Sequence, residues 1–150
     1  REVRYVDAAG QLITVGIDQL SFAYRSCSIP ADALICEATL VLRKETPAAV
    51  MQRRAEFMEY RKRTQPLSVP SSGSVFVNPS REVSAGQLIE QAGLKGLRIG
   101  GAQISPLHAN WITNPERVAS AADVEALIQR CRDVVWENSG VELKTELVRW

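Results

Sequence analysis

Three features of the sequence predict an α+β fold: period-two alternation of apolar residues toward both ends, helical stretches opened by recognisable caps, and short strand-like runs between the last two helices. The expected arrangement packs helices on a small mixed sheet. At the start, Val3 and Tyr5, then Leu12, Ile13 and Val15, flank the turn Asp7-Ala8-Ala9-Gly10 and read as a hairpin. A hairpin this short is not stable without partners, and the chain opens on Arg1 rather than methionine. It therefore reads as a piece of something longer, with the missing part on the N-terminal side. Over residues 33–42 apolar side chains run almost unbroken with Glu37 as the only charge, the pattern of a central strand buried on most of its length.

Thr46-Pro47 reads as an N-cap followed by proline at the first helical position, and predicts a helix to about Arg63. On it Arg53, Arg54, Arg61, Lys62 and Arg63 interleave with Glu56 and Glu59, which reads as a solvated face, with one or two members turned to a ligand, before it reads as a phosphate strip. Ser84-Ala85-Gly86-Gln87 has the capping-box spacing, with Leu88, Ile89 and Ala92 as the apolar stripe and Gly93 as a left-handed stop. A third helix begins at Ser120, has Asp123 three residues on, and carries Val124, Leu127, Ile128, Cys131, Val134 and Val135 on one side until Gly140. Residues 98–104 and 109–113 read as strands. So does the closing stretch 141–148, whose alternation places Glu142, Lys144 and Glu146 on one face. A linker near residues 43–46 divides 1–44 from 45–150. Trp111, Phe76 and Trp136 read as core.

Composition excludes several classes of function. With 18 Lys and Arg against 17 Asp and Glu the net charge is +1, so no global basic field draws nucleic acid or an anionic membrane. No apolar stretch approaches the length of a membrane span, and Arg1-Glu2-Val3-Arg4-Tyr5 is not a signal peptide, so the expectation is a soluble protein. Cys27, Cys36 and Cys131 have no CxxC spacing, which argues against a disulfide framework or a zinc site and fits a reducing compartment, the cytoplasm by default. The glycine-rich run 93–101 follows a helix and leads into a strand. Nucleotide loops need the reverse order, so the run reads as a helix stop and tight turns.

The stretch Pro70-Ser71-Ser72-Gly73-Ser74-Val75-Phe76-Val77-Asn78-Pro79 is a small-residue turn leading into a short apolar strand. It sets the Ser74 hydroxyl behind a glycine and ahead of an apolar pair, where it should be held rigidly at the mouth of a pocket. A side chain placed so suits the transfer of one proton at one point.

Tyr24-Arg25, Arg53-Arg54, Thr64-Gln65-Pro66, the 73–79 stretch, Ala85-Gly86-Gln87-Leu88-Ile89-Glu90, Gly93-Leu94-Lys95-Gly96, Gly100-Gly101-Ala102-Gln103-Ile104-Ser105, His108-Ala109-Asn110-Trp111-Ile112-Thr113-Asn114 and Glu142-Leu143-Lys144-Thr145-Glu146-Leu147 occur in order over nearly the whole chain. In this the sequence resembles the UDP-N-acetylenolpyruvoylglucosamine reductase family, also called UDP-N-acetylmuramate dehydrogenase. The resemblance implies that residues 1–44 are the last strands of an incomplete FAD-binding region and that 45–150 are a substrate-binding domain. It implies an enzyme of peptidoglycan synthesis in which NADPH reduces FAD and reduced FAD converts the enolpyruvyl ether of a UDP-sugar to a lactyl ether. A chain without the flavin region is then expected to be inactive alone.

The same resemblance assigns Ser74 as proton donor, Glu146 as an acid stabilising the enol-like intermediate and Arg25 as a cation beside it. These types suit the chemistry, because hydride addition to an enolpyruvyl group leaves charge on the neighbouring carboxylate and a carbon in need of a proton. Taken singly, Arg25 is also an ordinary ion-pair former, Glu146 a strand residue and Ser74 a turn former. Asn78, Gln65, Gln103 and His108 are expected substrate contacts, with Arg63 a further polar neighbour. No metal is expected. Val77 stands where the family commonly has lysine, so a charge contact from that position is absent, and Cys27 stands where serine is common. The alternative is a non-enzymatic module that binds a UDP-sugar or a protein on the same fold.

Overall fold

The computed structural model describes residues 1–148. They form two compact units, Arg1–Ala49 and the chain from Val50 onward.

In the first unit β1 (Glu2–Val6) and β2 (Leu12–Gly16) pair antiparallel with Val3 opposite Val15 and Tyr5 opposite Ile13. The Asp7 carboxylate ties the turn by accepting the N–H groups of Ala9 and Gln11 at 2.9 and 2.8 Å. A small hairpin follows, β3 (Phe22–Ala23) with β4 (Ser26–Cys27). Then β5 (Leu34–Thr39) pairs with β1, giving the order β2-β1-β5. So the 33–42 run is an edge strand, not a central one, and all six residues of β5 are exposed. The apolar run reports a strand suited to being covered. It does not report whether a covering layer is present, and Tyr5 is the one buried hydrophobic of this unit among the described residues.

The helix α1 (Pro47–Thr64) starts as its cap predicts, with Thr46 Oγ1 accepting the Ala49 N–H at 3.3 Å. None of its residues is buried; Val50, Met51, Phe57 and Tyr60 are exposed beside its basic residues.

The second unit continues with β6 (Ser71–Ser74), α2 (Ala85–Gln91), β7 (Arg98–Ile99), β8 (Ala102–Ile104), β9 (Trp111–Thr113) and α3 (Ala121–Ser139). Its four-stranded sheet runs β6-β9-β8-β7. Every pairing in it is antiparallel, so the sheet is not mixed, while the α+β class holds. Both caps form as expected: Ser84 Oγ accepts from Gln87 N and Ser120 Oγ from Asp123 N, each at 3.1 Å. Gly140 ends α3 at φ 65.

Leu127, Ile128, Cys131 and Val135 form the buried stripe of α3, packed with Phe76, Ile89, Ile104, Ile112 and Leu143 in one core. Burying each large side chain contributes roughly 1.5–3 kcal/mol. Burial pushes the Cys131 thiol up to about 12, so it stays neutral core. Trp136 is 59% exposed and is not core, because it sits one residue off that stripe. The closing strand expected over 141–148 reduces to a single bridge, Phe76 opposite Thr145. Its regularity is broken where Val75 O accepts two successive N–H groups, from Glu146 at 2.8 Å and Leu147 at 3.4 Å.

Candidate functional site

Ser74 ends β6, and the strand that carries it is the stretch Ser71–Ser74 itself, which the sequence alone presents as a turn. Small residues with poor strand propensity pair here because β9 supplies the partner groups. Ser71 lies opposite Thr113 and Ser74 opposite Trp111, so β6 holds one residue more than β9 over that span. The extra residue makes a bulge, and Gly73 takes it at φ 86, a conformation open to glycine. Ser74 emerges from the bulge half-buried, and among the described residues nothing hydrogen-bonds its hydroxyl.

Downstream the chain is clamped. Val75 N donates to Asn110 O at 2.9 Å; Phe76 N donates to Asn110 Oδ1 at 2.9 Å; and Asn110 Nδ2 donates back to Phe76 O at 2.8 Å. On the other side Val77 N donates to Lys144 O and Glu146 N to Val75 O, at 2.9 and 2.8 Å. The backbones of Ser74-Val75 and Glu146 thus lie on neighbouring antiparallel segments, although the two residues are remote in sequence. Arg132 Nε, donating to Leu143 O at 3.2 Å, fastens the C-terminal segment to α3.

Asn78 and His108 meet the start of α2. Asn78 Oδ1 accepts the Ala85 N–H at 3.1 Å, and a Cβ at Gly86 would lie 3.4 Å from His108 Cε1. His108 Nδ1 accepts the Asn110 N–H at 3.2 Å, which leaves the proton of the neutral ring on Nε2. Burial holds the His108 pKa below its ordinary value, with the nearby Lys95 acting in the same direction. Ser74, Glu146, Asn78 and His108 therefore hang on one backbone framework around Phe76 and Asn110.

The remaining expected contacts belong to other elements. Gln103, on β8, donates from Nε2 to Gly96 O at 3.1 Å and accepts from Arg98 at 3.4 Å, so its amide holds a turn. Gln65 follows α1 and accepts from Arg61 Nε at 3.1 Å. Arg25 belongs to the first unit, in the turn between β3 and β4, with φ 59 and its guanidinium 5.9 Å from the Tyr24 ring centre. A left-handed conformation at a non-glycine residue is costly and recurs at functional positions.

Asn110 falls within a sequence motif that by itself assigns it no role. The available signal is a polar amide directly ahead of the strand Trp111–Thr113; it is 4% exposed with a hydrogen bond at each of its polar atoms.

The His108 geometry gives a stability prediction. Because the folded-state pKa is depressed, the unfolded chain binds more protons as pH falls below about 6.5, so the stabilising contribution present above that pH is lost as the solution is acidified. Thermal melts at neutral and mildly acidic pH are expected to show a larger acid loss for the unmodified protein than for His108→Asn, whose Oδ1 accepts without titrating. An equal loss in both would remove His108 as the cause.

Comparison with known proteins then places the chain. Residues 65–150 match the family described as UDP-N-acetylenolpyruvoylglucosamine reductase, C-terminal domain. The chain is 40% identical over 148 residues to the UDP-N-acetylenolpyruvoylglucosamine reductase of Heliobacterium modesticaldum, covering 98% of this chain and 47% of that protein. It is 43% identical to the reductase of Myxococcus xanthus, covering 99% and 46%. Among solved structures, the UDP-N-acetylenolpyruvylglucosamine reductase of Thermus caldophilus superposes with a TM-score of 0.79 at 34% identity, covering 99% of this chain and 52% of that one. The chain spans about half the length of the curated relatives it matches. With a family match over more than half its residues and relatives at this identity, the chain belongs to the UDP-N-acetylenolpyruvoylglucosamine reductase family.

Proposed function

We propose that this chain is the C-terminal part of an FAD-dependent, NADPH-using reductase that converts UDP-N-acetylglucosamine enolpyruvate to UDP-N-acetylmuramate in peptidoglycan synthesis. The observation that carries the reading is the Glu146 N–H bond to Val75 O, one residue from Ser74, in a chain of this family. Reduction of the enolpyruvyl double bond needs a hydride and a proton; the hydride is the flavin's to supply. The described residues do not fit a flavin phosphate cradle, since the glycine-rich run leaves α2 and enters β7 instead of leaving a strand for a helix. FAD, and the NADPH that reduces it, are therefore assigned to the part of the full-length protein outside this chain. Residues 1–44 are assigned to the end of that flavin region, in keeping with an edge strand β5 whose apolar side chains are uncovered.

The residues of this chain take the other half of the chemistry. Ser74 delivers the proton to the carbon beside the carboxylate, from a hydroxyl that no described group occupies. Glu146 stabilises the enol form of that carboxylate, and Arg25 supplies a cation of the type that pairs with a carboxylate. Asn78 and His108 meet the diphosphate, and Gln65 and Gln103 add polar contacts. No described helix is long and apolar enough to cross a membrane. We place the protein in the cytoplasm, a reducing compartment suited to the free thiols of Cys27, Cys36 and Cys131.

Full-length protein carrying this chain is expected to be yellow and to oxidise NADPH only when given the enolpyruvyl UDP-sugar. A colourless full-length protein that still binds the UDP-sugar would replace this reading with a binding module.

A further inference from the structure

We infer that Asn110 is a positioning residue for proton delivery, holding Ser74 in place through the backbone of Phe76; this rests on the role proposed for Ser74 above. The register requires such a device. β9 begins at Trp111 opposite Ser74, and Asn110 O still accepts the Val75 N–H, but one residue further on the chain has turned to pair with Thr145. At Phe76 the β9 side would therefore leave a buried N–H and C=O without partners. The Asn110 side-chain amide fills the gap: it presents an acceptor and a donor as a peptide group would, at 2.9 and 2.8 Å.

The consequence for Ser74 follows from what lies on its other side. Upstream is the Gly73 bulge, whose extra residue leaves the strand locally unpaired. The fixed anchor of Ser74 is thus downstream, in Val75 and Phe76, each 1% exposed. The same two residues carry the C-terminal segment with Glu146 on their opposite edge. One amide therefore fixes the strand that carries Ser74, and it does so from a buried position with both of its polar atoms engaged by Phe76, acting through the strand and not on substrate.

The decisive change is Asn110→Asp, which keeps the shape and the acceptor but has no N–H to give to Phe76 O. In the full-length enzyme, mixed rapidly with NADPH and then with the enolpyruvyl UDP-sugar, this variant is expected to reoxidise its flavin about 100-fold more slowly, as a displaced reacting group does. Flavin reduction by NADPH and the KM for the UDP-sugar should stay within about twofold. If Asn110 acts through Ser74, adding Asn110→Asp to Ser74→Ala should slow reoxidation by no more than about twofold further, whereas an independent structural effect would multiply. Multiplying effects, or an Asn110→Asp enzyme that reoxidises at the parent rate, would overturn the inference. Should Asn110→Asp fail to fold, Asn110→Ser, which keeps one hydrogen-bonding atom at the position, takes its place in the same comparison. An unmodified enzyme that the substrate does not reoxidise, or a Ser74→Ala enzyme that reoxidises normally, would instead bring down the reading of Ser74 and this inference with it.

Discussion

In full-length enzyme carrying Ser74→Ala, NADPH is expected to reduce the flavin at the parent rate and the enolpyruvyl substrate to reoxidise it about 10²–10⁴-fold more slowly, the range lost when a positioned proton donor is removed. The selectivity follows from where the serine sits. Its hydroxyl holds no described partner, so its removal breaks no hydrogen bond of the fold, and the flanking Val75 and Phe76 remain clamped by Asn110. Thermal stability should therefore stay close to that of the parent. The two half-reactions are separable by following flavin absorbance after each mixing step. Equal slowing of both would mean that Ser74 supports the flavin's surroundings and not the proton; an unchanged second step would leave the proton to some other group.

Why the sequence discloses some of this and not the rest follows from the range of the forces involved. Thr46, Ser84, Ser120 and Gly140 are legible because a cap satisfies orphan backbone groups within three or four residues; the three helices start, and α3 stops, where those residues say. The stripe of α3 is legible for the same reason, since spacing along one helix decides which side chains share a face. Burial of β5 was not legible, because it depends on a layer that the strand's own residues do not encode. Nor was β6: Ser71-Ser72-Gly73-Ser74 has the composition of a turn and becomes a strand because β9 lies beside it. The candidate site divides the same way. Ser74 is conspicuous from its local string, but the bond that brings Glu146 to the neighbouring Val75 is a main-chain bond between distant segments, which leaves no local mark. Asn110 was hidden for a further reason. Its partners are the backbone groups of Phe76, and backbone groups carry no residue identity to read.

Gly101→Ala should be the most damaging small substitution in the second unit. A Cβ at this position would lie 2.5 Å from Ala119 N and 2.7 Å from both Ala119 Cα and Val118 C. These are backbone atoms of the segment that leads into α3, so no side chain can rotate away to make room. The crowding is compounded by chemistry, because Gly101 N donates to Asp123 Oδ2 at 3.2 Å while the same carboxylate accepts the Ser120 N–H at 2.9 Å. Those two N–H groups hold the Asp123 carboxyl below its ordinary pKa. Moving the 100–101 turn away from α3 would thus pull on the helix cap as well as on the packing. Overpacking of this kind costs about 3 kcal/mol, which in a unit of this size lowers the melting temperature by roughly 15 °C. Gly140→Ala is the control. It sits at φ 65 with nothing within 4 Å of the added methyl, so it bears only the backbone penalty, about 1 kcal/mol. Thermal melts of the two variants side by side should differ about threefold in loss; equal losses would mean that the turn and α3 are free to separate and that Asp123 does not lock them.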